Sequence, residues 1–552
     1  MVTAQDFLVL MLIIIMIKTE MKIIESQIII CGASLGGTLA AYSAAREGKR
    51  TVLLEETAWI GGQLTSQAVP PDEHPWIEDQ GCTRSYREYR NKVRDYFRNL
   101  DGYSEEVKKQ DFFCPGDSEV SFIAHPPKLA LSILSDMLKP YIDSGVLTVF
   151  VNARLKSCIT EGDEIKGVVY EIDGEEVKLV GDYYLDGTDI GDLICLSGAE
   201  YRVGAESRAE TGEEDAPEIA DPEDMQAMIY SACIENRKTG DYTIEKPELY
   251  DQFKEMVMPY DEHKLYSMYG PNSSTGKAKR FAMFEGEFNE EGREYFPLFK
   301  YRRIVCSDYF TDGSQPYDVT LINWPQNDFF LGNIFDCEDA ERNRYLAKQY
   351  TLGFVYWLQT EAPRADGGKG YPYFRLATEY LGTDDGLSMA PYIRESRRLK
   401  AKFTVTATHV CDAQKCKFAD SVGVGSYPID LHITTKTHTF FYKPTHRFTI
   451  PLGAMIPERM KNLLPACKNI GSTHLTNGCY RLHPVEWNIG EVAGLLASFA
   501  IDEKAIPADV WSQKERFDRF CTLIEGYGIQ RYWDEDNIEA GYARVKNRKS
   551  YC

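Results

Sequence analysis

The chain has little positive charge. Its 62 Lys and Arg residues stand against 84 Asp and Glu residues, which gives a formal net charge of −22 at pH 7. A protein that holds a nucleic-acid backbone needs a broadly cationic face to meet the phosphates. We therefore expect no nucleic acid among its partners.

Closely spaced cysteines are also missing. The 14 cysteines are scattered singly, and the nearest two in sequence, Cys411 and Cys416, have four residues between them. This spacing suits neither a dithiol of the thioredoxin type nor a zinc ribbon. We predict that most of these thiols are small buried apolar groups and that the protein has no metal site.

The sequence lacks a hydrophobic run long enough to span a bilayer. The longest candidate, Phe7–Ile17, has 11 residues, whereas a spanning helix needs about 20. Asp6 precedes this run and no small-residue cleavage site follows it, so it makes a poor signal peptide. We interpret residues 1–20 as an apolar extension before a functional start at Met21. We expect a cytoplasmic location without membrane contact, and a membrane-proximal or exported location is the alternative.

What is present is typical of a folded globular protein. The chain has 552 residues, of which 43% are hydrophobic and 26% charged. These values exclude general disorder, and the length predicts two or three domains around a large core.

Residues 27–56 carry the pattern of a nucleotide-binding unit. A β-branched run, Ile28–Ile30, predicts a buried parallel strand, and the alanine-rich segment Thr38–Arg46 predicts a helix that packs on it. Between them, the G-x-G-x-x-G positions are occupied by Gly32, Ser34 and Gly37. The helix N-terminus would then offer backbone N–H groups to a pyrophosphate, with Leu35 and Gly36 alongside.

Ser34 breaks the strict glycine pattern. Its hydroxymethyl group stands where the backbone would approach the pyrophosphate, so binding requires that the side chain turn aside or donate to a phosphate oxygen. The next predicted strand, Thr51–Leu54, ends at Glu55, which can accept hydrogen bonds from ribose hydroxyls. Glu56 is the competing choice.

From these residues onward, through the second glycine turn in WIGGQLTSQ, the sequence resembles the FAD-dependent oxidoreductase family. The resemblance extends over about Gln27–Ala500 and is also carried by Gly81–Arg98, Tyr184–Ser207, Leu321–Asp328, Trp357–Val410 and Arg481–Leu496. It implies an α/β fold: a Rossmann-like FAD-binding domain of the glutathione-reductase type, assembled from discontinuous segments, with an inserted α+β substrate domain. It also implies FAD as the cofactor and a small-molecule substrate.

On this basis we predict four regions. They are the extension 1–20, an FAD-binding domain from 21–200 and 446–505, a substrate or cap domain from 201–445, and a C-terminal helical tail from 506–552. A small β-meander is expected to cross back to the nucleotide sheet through Leu147–Val151, Ile165–Tyr170, Val177–Val180 and Tyr183–Leu185. The acidic segment Gly204–Asp221 reads as a solvated loop.

The resemblance also implies cofactor contacts beyond the glycine turn. These are Gly62, Gln63, Leu64, Thr65, Val151, Asp186 and Gly187. Asp186 could equally be an ordinary turn former at a strand end. In the C-terminal part we expect an apolar helix from about Asn488. Its N-terminal residues Asn488, Ile489 and Gly490 would face the pyrimidine edge of the flavin, and Gly494 would let the helix pack closely on the nucleotide fold.

Three residues of the same C-terminal part are candidates for proton transfer: His483, His474 and Glu486. A histidine suits a general base near neutral pH. His483 precedes Pro484, however, so its ring could instead cap the following helix. The candidates for substrate binding are Arg394, Arg397, Asn323 and Arg481.

Two of these substrate assignments have alternatives. On a helix, Arg394 and Arg398 would share a face and could clamp an anion. They could instead form an interdomain ion-pair network with Glu395. Asn323 belongs to NWPQND, which either lines a pocket or forms a rigid turn bonded to itself.

The leading functional hypothesis is a dehydrogenase or oxidase that moves a hydride from a small polar organic substrate to flavin N5. The single visible nucleotide fingerprint disfavours reductases that bind NAD(P)H in a second Rossmann domain. A monooxygenase reduced by NAD(P)H is an alternative, suggested by Asp186-Gly187. A non-catalytic FAD-binding protein is another, suggested by Ser34. The electron acceptor, oligomeric state and covalent attachment of the flavin are left open.

Overall fold

The computed structural model describes residues 21–273, 275–335 and 337–538. The predicted extension 1–20, with its run Phe7–Ile17, and positions 539–552 of the predicted tail lie outside the described residues. The strands are β1 (Lys22–Glu25), β2 (Ile28–Cys31), β3 (Thr51–Leu54), β4 (Leu147–Phe150), β5 (Arg154–Glu161), β6 (Glu164–Ile172), β7 (Glu175–Val180), β8 (Tyr183–Asp186), β9 (Tyr201–Arg202), β10 (Ala232–Asn236), β11 (Tyr269–Asn272), β12 (Lys277–Arg280), β13 (Arg303–Val305), β14 (Val319–Ile322), β15 (Phe374–Leu376), β16 (Arg398–Leu399), β17 (Ser421–Gly425), β18 (Ile429–Leu431), β19 (Phe441–Lys443), β20 (Phe448–Pro451) and β21 (Leu463–Pro465).

The α-helices alternate with these strands. They are α1 (Leu35–Arg46), α2 (Arg84–Arg98), α3 (Glu105–Lys108), α4 (Pro127–Asp143), α5 (Asp192–Leu196), α6 (Arg208–Thr211), α7 (Tyr250–Glu255), α8 (Leu298–Tyr301), α9 (Ala340–Thr360), α10 (Ala407–Val410), α11 (His474–Tyr480), α12 (His483–Glu503), α13 (Pro507–Ser512) and α14 (Lys514–Gly526). Within residues 21–538, no helix that the structure describes has the length and apolar character needed to cross a membrane.

The centre of the fold is a five-stranded parallel sheet in the order β21-β8-β2-β3-β4. Strands β2, β3 and β8 are buried along their whole length, which explains their nearly continuous apolar sequences. The five strands come from widely separated stretches of the chain, with β21 following β8 only after the whole middle region. The predicted α/β class with a parallel sheet is confirmed.

The predicted meander differs from the observed one. Strands β5, β6 and β7 are antiparallel neighbours, and β1 joins them by pairing in parallel with β7. Leu147–Phe150 and Tyr183–Asp186 instead belong to the parallel sheet. The sequence prediction missed β5 because most of its side chains are exposed, so its sequence has only a weak alternation of apolar and polar residues.

Helices α1 and α12 pack closely through glycines. A Cβ atom built on Gly490 would lie 2.1 Å from the Gly36 carbonyl oxygen, and one built on Gly494 would lie 2.2 Å from the Ala40 carbonyl oxygen. Only glycine allows the two backbones to approach so closely. The close packing predicted at Gly494 is therefore confirmed.

A second hydrophobic core lies in the middle of the chain. It gathers buried residues between Met225 and Ile433, many of them aromatic. It includes side chains of the antiparallel sheet β13-β14-β10-β15 and of α9. The C-terminal helices α13 and α14 pack on the first core, through Val510, Phe520 and Ile524.

Candidate cofactor and active site

The turn between β2 and α1 touches the turn after β8 through glycines. Gly32 has a φ of +86°, and a Cβ atom on it would lie 2.5 Å from the Gly187 carbonyl oxygen. A Cβ atom on Gly37 would lie 2.1 Å from the Gly32 carbonyl oxygen. The first and third glycines of the motif are therefore required by the backbone itself, and Gly187 belongs to the same contact.

Ser34 is the N-cap of α1. Its hydroxyl oxygen accepts a hydrogen bond from the Gly37 backbone N–H at 3.2 Å, and its backbone has a φ of −51°. The serine side chain thus turns onto the helix that it begins, as capping serines do. We expected the serine side chain either to turn aside or to donate to a phosphate oxygen, and in the structure it turns aside.

Glu55 connects the end of β3 with the glycine turn through hydrogen bonds. Its carboxylate accepts the Ala33 backbone N–H at 2.8 Å, the Thr57 backbone N–H at 3.0 Å and the Thr57 hydroxyl at 2.8 Å. Burial raises the pKa of this carboxyl to about 7. Glu55 and Glu56 both line the cleft described next.

A cleft runs along the carboxyl edge of the parallel sheet, where ligands bind in folds of this kind. We call it the cofactor cleft. Its lining includes Gly32, Glu55, Gly187, Thr188, Ser66, Gln67, Ala390 and Pro391. Within the described chain, the buried Oε1 atom of Gln67 has no hydrogen-bond partner. An unpaired buried acceptor beside a cleft is suited to a ligand N–H or O–H group.

Two outcomes in the cofactor cleft differ from prediction. Ser66 and Gln67 were not predicted as contacts, although both belong to the glycine-turn motif. Val151 was predicted as one, but it is 40% exposed, and Ala153 lines the cleft instead. Strand β4 ends at Phe150, and the chain then turns at Asn152, which has a φ of +53°.

The second glycine turn lies against the start of α1. A Cβ atom on Gly62 would lie 2.8 Å from the Ser34 Cα atom. Leu64 is buried, and the Thr65 hydroxyl donates to the Ile60 carbonyl at 2.5 Å. The predicted segment Gly62–Thr65 is therefore at the nucleotide-binding turn.

Glu486 brings a carboxylate to the same helix N-terminus. Its Oε1 atom accepts the Gly36 backbone N–H at 3.2 Å, and its Oε2 atom accepts the Gln63 side-chain amide at 2.8 Å. The Lys468 ammonium lies 3.6 Å from Glu486 and 2.6 Å from Asp189. Burial raises the pKa of Glu486. The Gly36 N–H, predicted to meet the pyrophosphate, thus donates to a protein carboxylate, and Lys468 is the cation beside this end of α1.

Both carboxylate oxygens of Asp186 accept hydrogen bonds from residues that follow it closely in the chain. One oxygen accepts the Thr188 backbone N–H at 2.9 Å and the Thr188 hydroxyl at 2.7 Å, and the other accepts the Ile194 N–H at 2.7 Å. These contacts match the turn-forming alternative for Asp186. Gly187, the next residue, lines the cofactor cleft.

Helix α12 begins at His483, five residues before the predicted start. Asn488, Ile489 and Gly490 are therefore inside the helix, where their N–H groups pair with carbonyls of the preceding turn. The Asn488 side chain donates to the Val422 carbonyl at 3.1 Å. The prediction that these three residues present free N–H groups to the flavin was wrong. Pro484 is the signal that the prediction did not use, because proline is favoured in the first turn of a helix and so marks the earlier start.

His483 is fixed in one tautomer. Its Nδ1 atom accepts the Asp72 backbone N–H at 3.0 Å, so the ring proton must reside on Nε2. The ring is buried, and besides the Asp72 contact it has a hydrogen bond to the Val69 backbone. Burial lowers the pKa of this imidazole to about 4. A general base needs a free lone pair, and this ring has none, so we revise its predicted role from base to hydrogen-bond donor.

His474 belongs to a buried ion-pair network. Its Nδ1 atom lies 2.8 Å from the Glu395 carboxylate, and its backbone N–H donates to Glu206 at 2.8 Å. Arg398 pairs with both Glu395 and Glu206. Burial opposes the charged ring, but the carboxylate of Glu395 raises the pKa of His474 above its usual range. The network joins three distant segments of the chain.

Comparison of the sequence with known protein families identifies the family of this chain. Residues 27–519 match the family described as FAD dependent oxidoreductase. The chain belongs to this family. It is an FAD-dependent oxidoreductase, and FAD is its cofactor. No curated protein matches the chain.

The solved structures that match this FAD-dependent oxidoreductase are distant from it. The aromatic hydroxylase CabE from angucycline biosynthesis is 15% identical over 41% of this chain and 40% of its own, with a TM-score of 0.24. The E. coli quinol fumarate reductase FrdA, with an E245Q mutation, is 10% identical over 96% and 74%, with a TM-score of 0.31. The p-nitrophenol 4-monooxygenase PnpA from Pseudomonas putida DLL-E4 is 11% identical over 95% and 93%, with a TM-score of 0.33. The match thus spans less than half of CabE, and similarity this low does not bear on the activity of this chain.

The charged residues predicted for the substrate of this oxidoreductase are engaged with protein partners. Residues 394–397 form no helix. Arg394 pairs with Asp328 at 2.9 Å, and Arg397 donates to the Ile190 carbonyl at 2.8 Å. The helical clamp was therefore a wrong prediction, and the alternative, a network with Glu395, is the one observed. The prediction of a solvated acidic segment was also wrong in part, because Glu206 and Glu213 are buried.

The NWPQND segment forms a turn bonded to itself. The Asn327 side chain accepts the Trp324 N–H at 2.9 Å, and Pro325–Asn327 is a short 3-10 turn. Asn323 is buried and donates to the Ser231 hydroxyl at 3.2 Å. That hydroxyl donates in turn to the Gln67 carbonyl at 3.0 Å. Asn323 is thus connected to the wall of the cofactor cleft through Ser231.

Arg481 connects the cofactor cleft with a second cleft. One of its nitrogens donates to the Tyr392 hydroxyl at 2.8 Å, and another lies 3.2 Å from the Asp430 carboxylate. The neighbours of Tyr392 on both sides line the cofactor cleft. Asp430 lines a separate cavity of about 630 Å³, which we call the aromatic cleft. Its aromatic side chains are Trp76, Phe281, Phe296, Tyr301, Tyr427 and Tyr442.

Proposed function

We propose that the protein is a dehydrogenase or oxidase that moves a hydride from a small polar organic substrate to FAD. The observation that carries this proposal is the position of Arg481 between two clefts. The cofactor cleft follows the edge of the parallel sheet, and the aromatic cleft is a separate space for a second molecule. A reaction in which substrate and flavin exchange a hydride needs both molecules held side by side.

In this proposal the FAD-binding fold is of the glutathione-reductase type. The start of α1, with Ser34–Gly37 and Lys468, would hold the pyrophosphate, and Glu55 would accept hydrogen bonds from the ribose. The turn at Gly187 and the segment Gly62–Gln67 complete the site. Support comes from the glycine contacts, from the buried Lys468 cation near the start of α1, and from the unpaired acceptor of Gln67. These features fit FAD.

The domain boundaries are part of the same proposal. All strands of the parallel sheet fall within residues 21–200 and 446–505, which we assign to FAD binding. The antiparallel sheet with α9 falls within residues 201–445, which we assign to the substrate domain. We assign residues 506–552 to the C-terminal helical tail, of which the described part contains α13 and α14.

Bound FAD supplies the redox chemistry by accepting a hydride at N5. The chain contributes placement and polarity. Arg481 is held by Asp430 and Tyr392, so its orientation is set before any ligand arrives. His483 can donate a hydrogen bond from Nε2 without carrying charge at neutral pH. Among the described residues, only one sheet is parallel throughout, which favours a substrate that reduces the flavin directly.

The two sequence features that suggested alternative functions have other roles in the structure. The Asp186 carboxylate, which suggested a monooxygenase, is fully used within its own turn. Ser34, which suggested an inactive FAD-binding protein, caps α1 without disturbing its backbone. Neither feature now supports a separate function.

The test is anaerobic reduction of the purified flavoprotein, followed by absorbance. We expect substrate alone to bleach the flavin band, and NAD(P)H alone to leave it unchanged. Bleaching by NAD(P)H but by no organic substrate would favour the monooxygenase. A flavin that no donor reduces would favour the inactive FAD-binding protein.

A further inference from the structure

The aromatic cleft is walled by rings that already support one another. Phe296 lies 5.0 Å from Tyr301, edge to face, and 6.2 Å from Phe281. The Arg302 guanidinium lies 5.2 Å from the centre of the Tyr301 ring. Such contacts hold aromatic side chains in place before a ligand binds. Rigid flat walls favour a ligand that itself has a flat or ring-shaped apolar face.

Two polar groups lie at the inner end of this cleft. The Tyr427 hydroxyl donates to the Asp430 carboxylate at 3.4 Å, and both residues line the cleft. Asp430 is partly exposed, so its carboxylate can accept a further hydrogen bond from a ligand. A ligand hydroxyl group can donate either to the Asp430 carboxylate or to the Tyr427 hydroxyl oxygen, which keeps a lone pair while its own proton points to Asp430.

The charges of the cleft are balanced inside the protein. Asp430 pairs with Arg481 at 3.2 Å, and Glu73, also on the wall, pairs with Arg90 at 2.8 Å. Lys279 also lines the cleft, with its ammonium 5.3 Å from the centre of the Phe281 ring. With two paired carboxylates and one lysine on its wall, the cleft has no strong excess of either charge, which suits a neutral molecule.

We infer that the aromatic cleft binds a neutral, hydroxylated ring and that this ring is the substrate. The inference rests on the proposed function, because it makes this ring the hydride donor. Arg481 contacts Asp430 of this cleft and also Tyr392, whose neighbours in the chain line the cofactor cleft. A saturated polyol ring and a phenol share this chemistry. The experiment below distinguishes these two sources.

The test is binding to the FAD-loaded protein under air, measured by calorimetry and by quenching of tryptophan fluorescence, to which Trp76 contributes from the cleft wall. The probes are myo-inositol and D-glucose for saturated rings, and phenol for aromatic ones. The variants are Tyr442→Ala, which removes a ring at the rim, and Tyr427→Phe, which removes only a hydroxyl. Tyr96→Ala is the matched control, because Tyr96 is 49% exposed and Tyr442 50%, and Tyr96 is not part of the cleft.

We expect saturable binding of one ring type. Tyr442→Ala and Tyr427→Phe should each weaken it by about fivefold, the value of one aromatic or hydrogen-bonded contact. Tyr96→Ala should leave it unchanged. Absence of saturable binding for all three probes, or equal affinities in Tyr442→Ala and Tyr96→Ala, would overturn the inference. A ring that binds in the cleft without bleaching the flavin anaerobically would leave the ring-binding cleft standing, and would overturn the ring's role as substrate together with the proposed function.

Discussion

The backbone N–H of Asp72 donates to Nδ1 of His483 across 3.0 Å, although the two residues are 411 positions apart in the sequence. Arg302 holds the Asp72 side chain through two hydrogen bonds, at 2.9 and 3.2 Å. An amide N–H can only donate, so this one contact decides which nitrogen of the imidazole carries the proton. The ring is neutral, buried and a donor.

This relationship predicts how stability depends on pH. The pKa of His483 is about 4 when folded, against an ordinary value of 6.5. Between these values the unfolded chain binds a proton that the folded chain does not. The free energy of unfolding should therefore fall as pH drops from 6.5 to 4, with His483 contributing up to about 1.4 kcal/mol per pH unit. Above pH 6.5 this contribution is constant.

The check is urea denaturation across this pH range. His483→Gln keeps an acceptor for the Asp72 N–H and should reduce the slope by the equivalent of one proton. His74 and His125 share the lowered pKa of about 4, so a slope remains in the variant. His446→Gln, at an exposed position, is the control. Equal slopes in both variants would contradict the assignment.

The glycine contact predicts a loss of cofactor. In Gly32→Ala, the new methyl group would lie 2.5 Å from the Gly187 carbonyl oxygen, so the two turns must separate. We expect FAD affinity to fall by at least about tenfold, since the turn geometry holds the pyrophosphate. Gly48 also has a positive φ, of +73°, but nothing lies within 4 Å of its Cβ position. Gly48→Ala should cost about 1 kcal/mol of stability and leave FAD binding intact, as measured by flavin fluorescence.

Lys468 and Glu486 should affect FAD binding in different ways. Lys468→Met removes the buried cation nearest the α1 N-terminus, and we expect FAD affinity to fall by at least about tenfold. Glu486→Gln keeps an acceptor for the Gly36 N–H and removes a negative charge, so FAD should bind at least as tightly. Lys461→Met, at an exposed position, is the control. Equal weakening by the first two variants, in titrations of the apoprotein with FAD, would sink the proposed phosphate position.

The buried network around Arg398 should matter for stability. Arg398→Met leaves the Glu395 and Glu206 carboxylates buried without their main cation. Breaking such a pair costs about 3–5 kcal/mol. Arg459 also pairs with two carboxylates, at 2.7 and 3.0 Å, but on the surface. Arg459→Met should cost less than about 1 kcal/mol. Similar unfolding midpoints for the two variants would show that the buried Arg398 network contributes no more to stability than the surface ion pairs of Arg459.

The sequence alone determined the nucleotide-binding unit. Ile28–Ile30, the glycines, the alanine-rich helix and Glu55 follow one another within about 30 residues, and each has a local cause: period, turn geometry or helix packing. The parallel sheet and the close approach of Gly494 to α1 were predictable for the same reason. Signals of this kind depend on residues that are neighbours in the chain.

Only the tertiary structure decided which charged and polar groups meet. Arg398 finds Glu206 nearly 200 positions away, Lys468 reaches Asp189, and Asp72 sets the tautomer of His483. A charged side chain carries no mark of its partner in the sequence, because burial and long-range folding bring the two together. Residues 392–398, with the sequence YIRESRR, could therefore be recognised as charged. Whether they form an ion-pair network or an anion clamp was decided only when the fold placed His474 and Glu395 side by side.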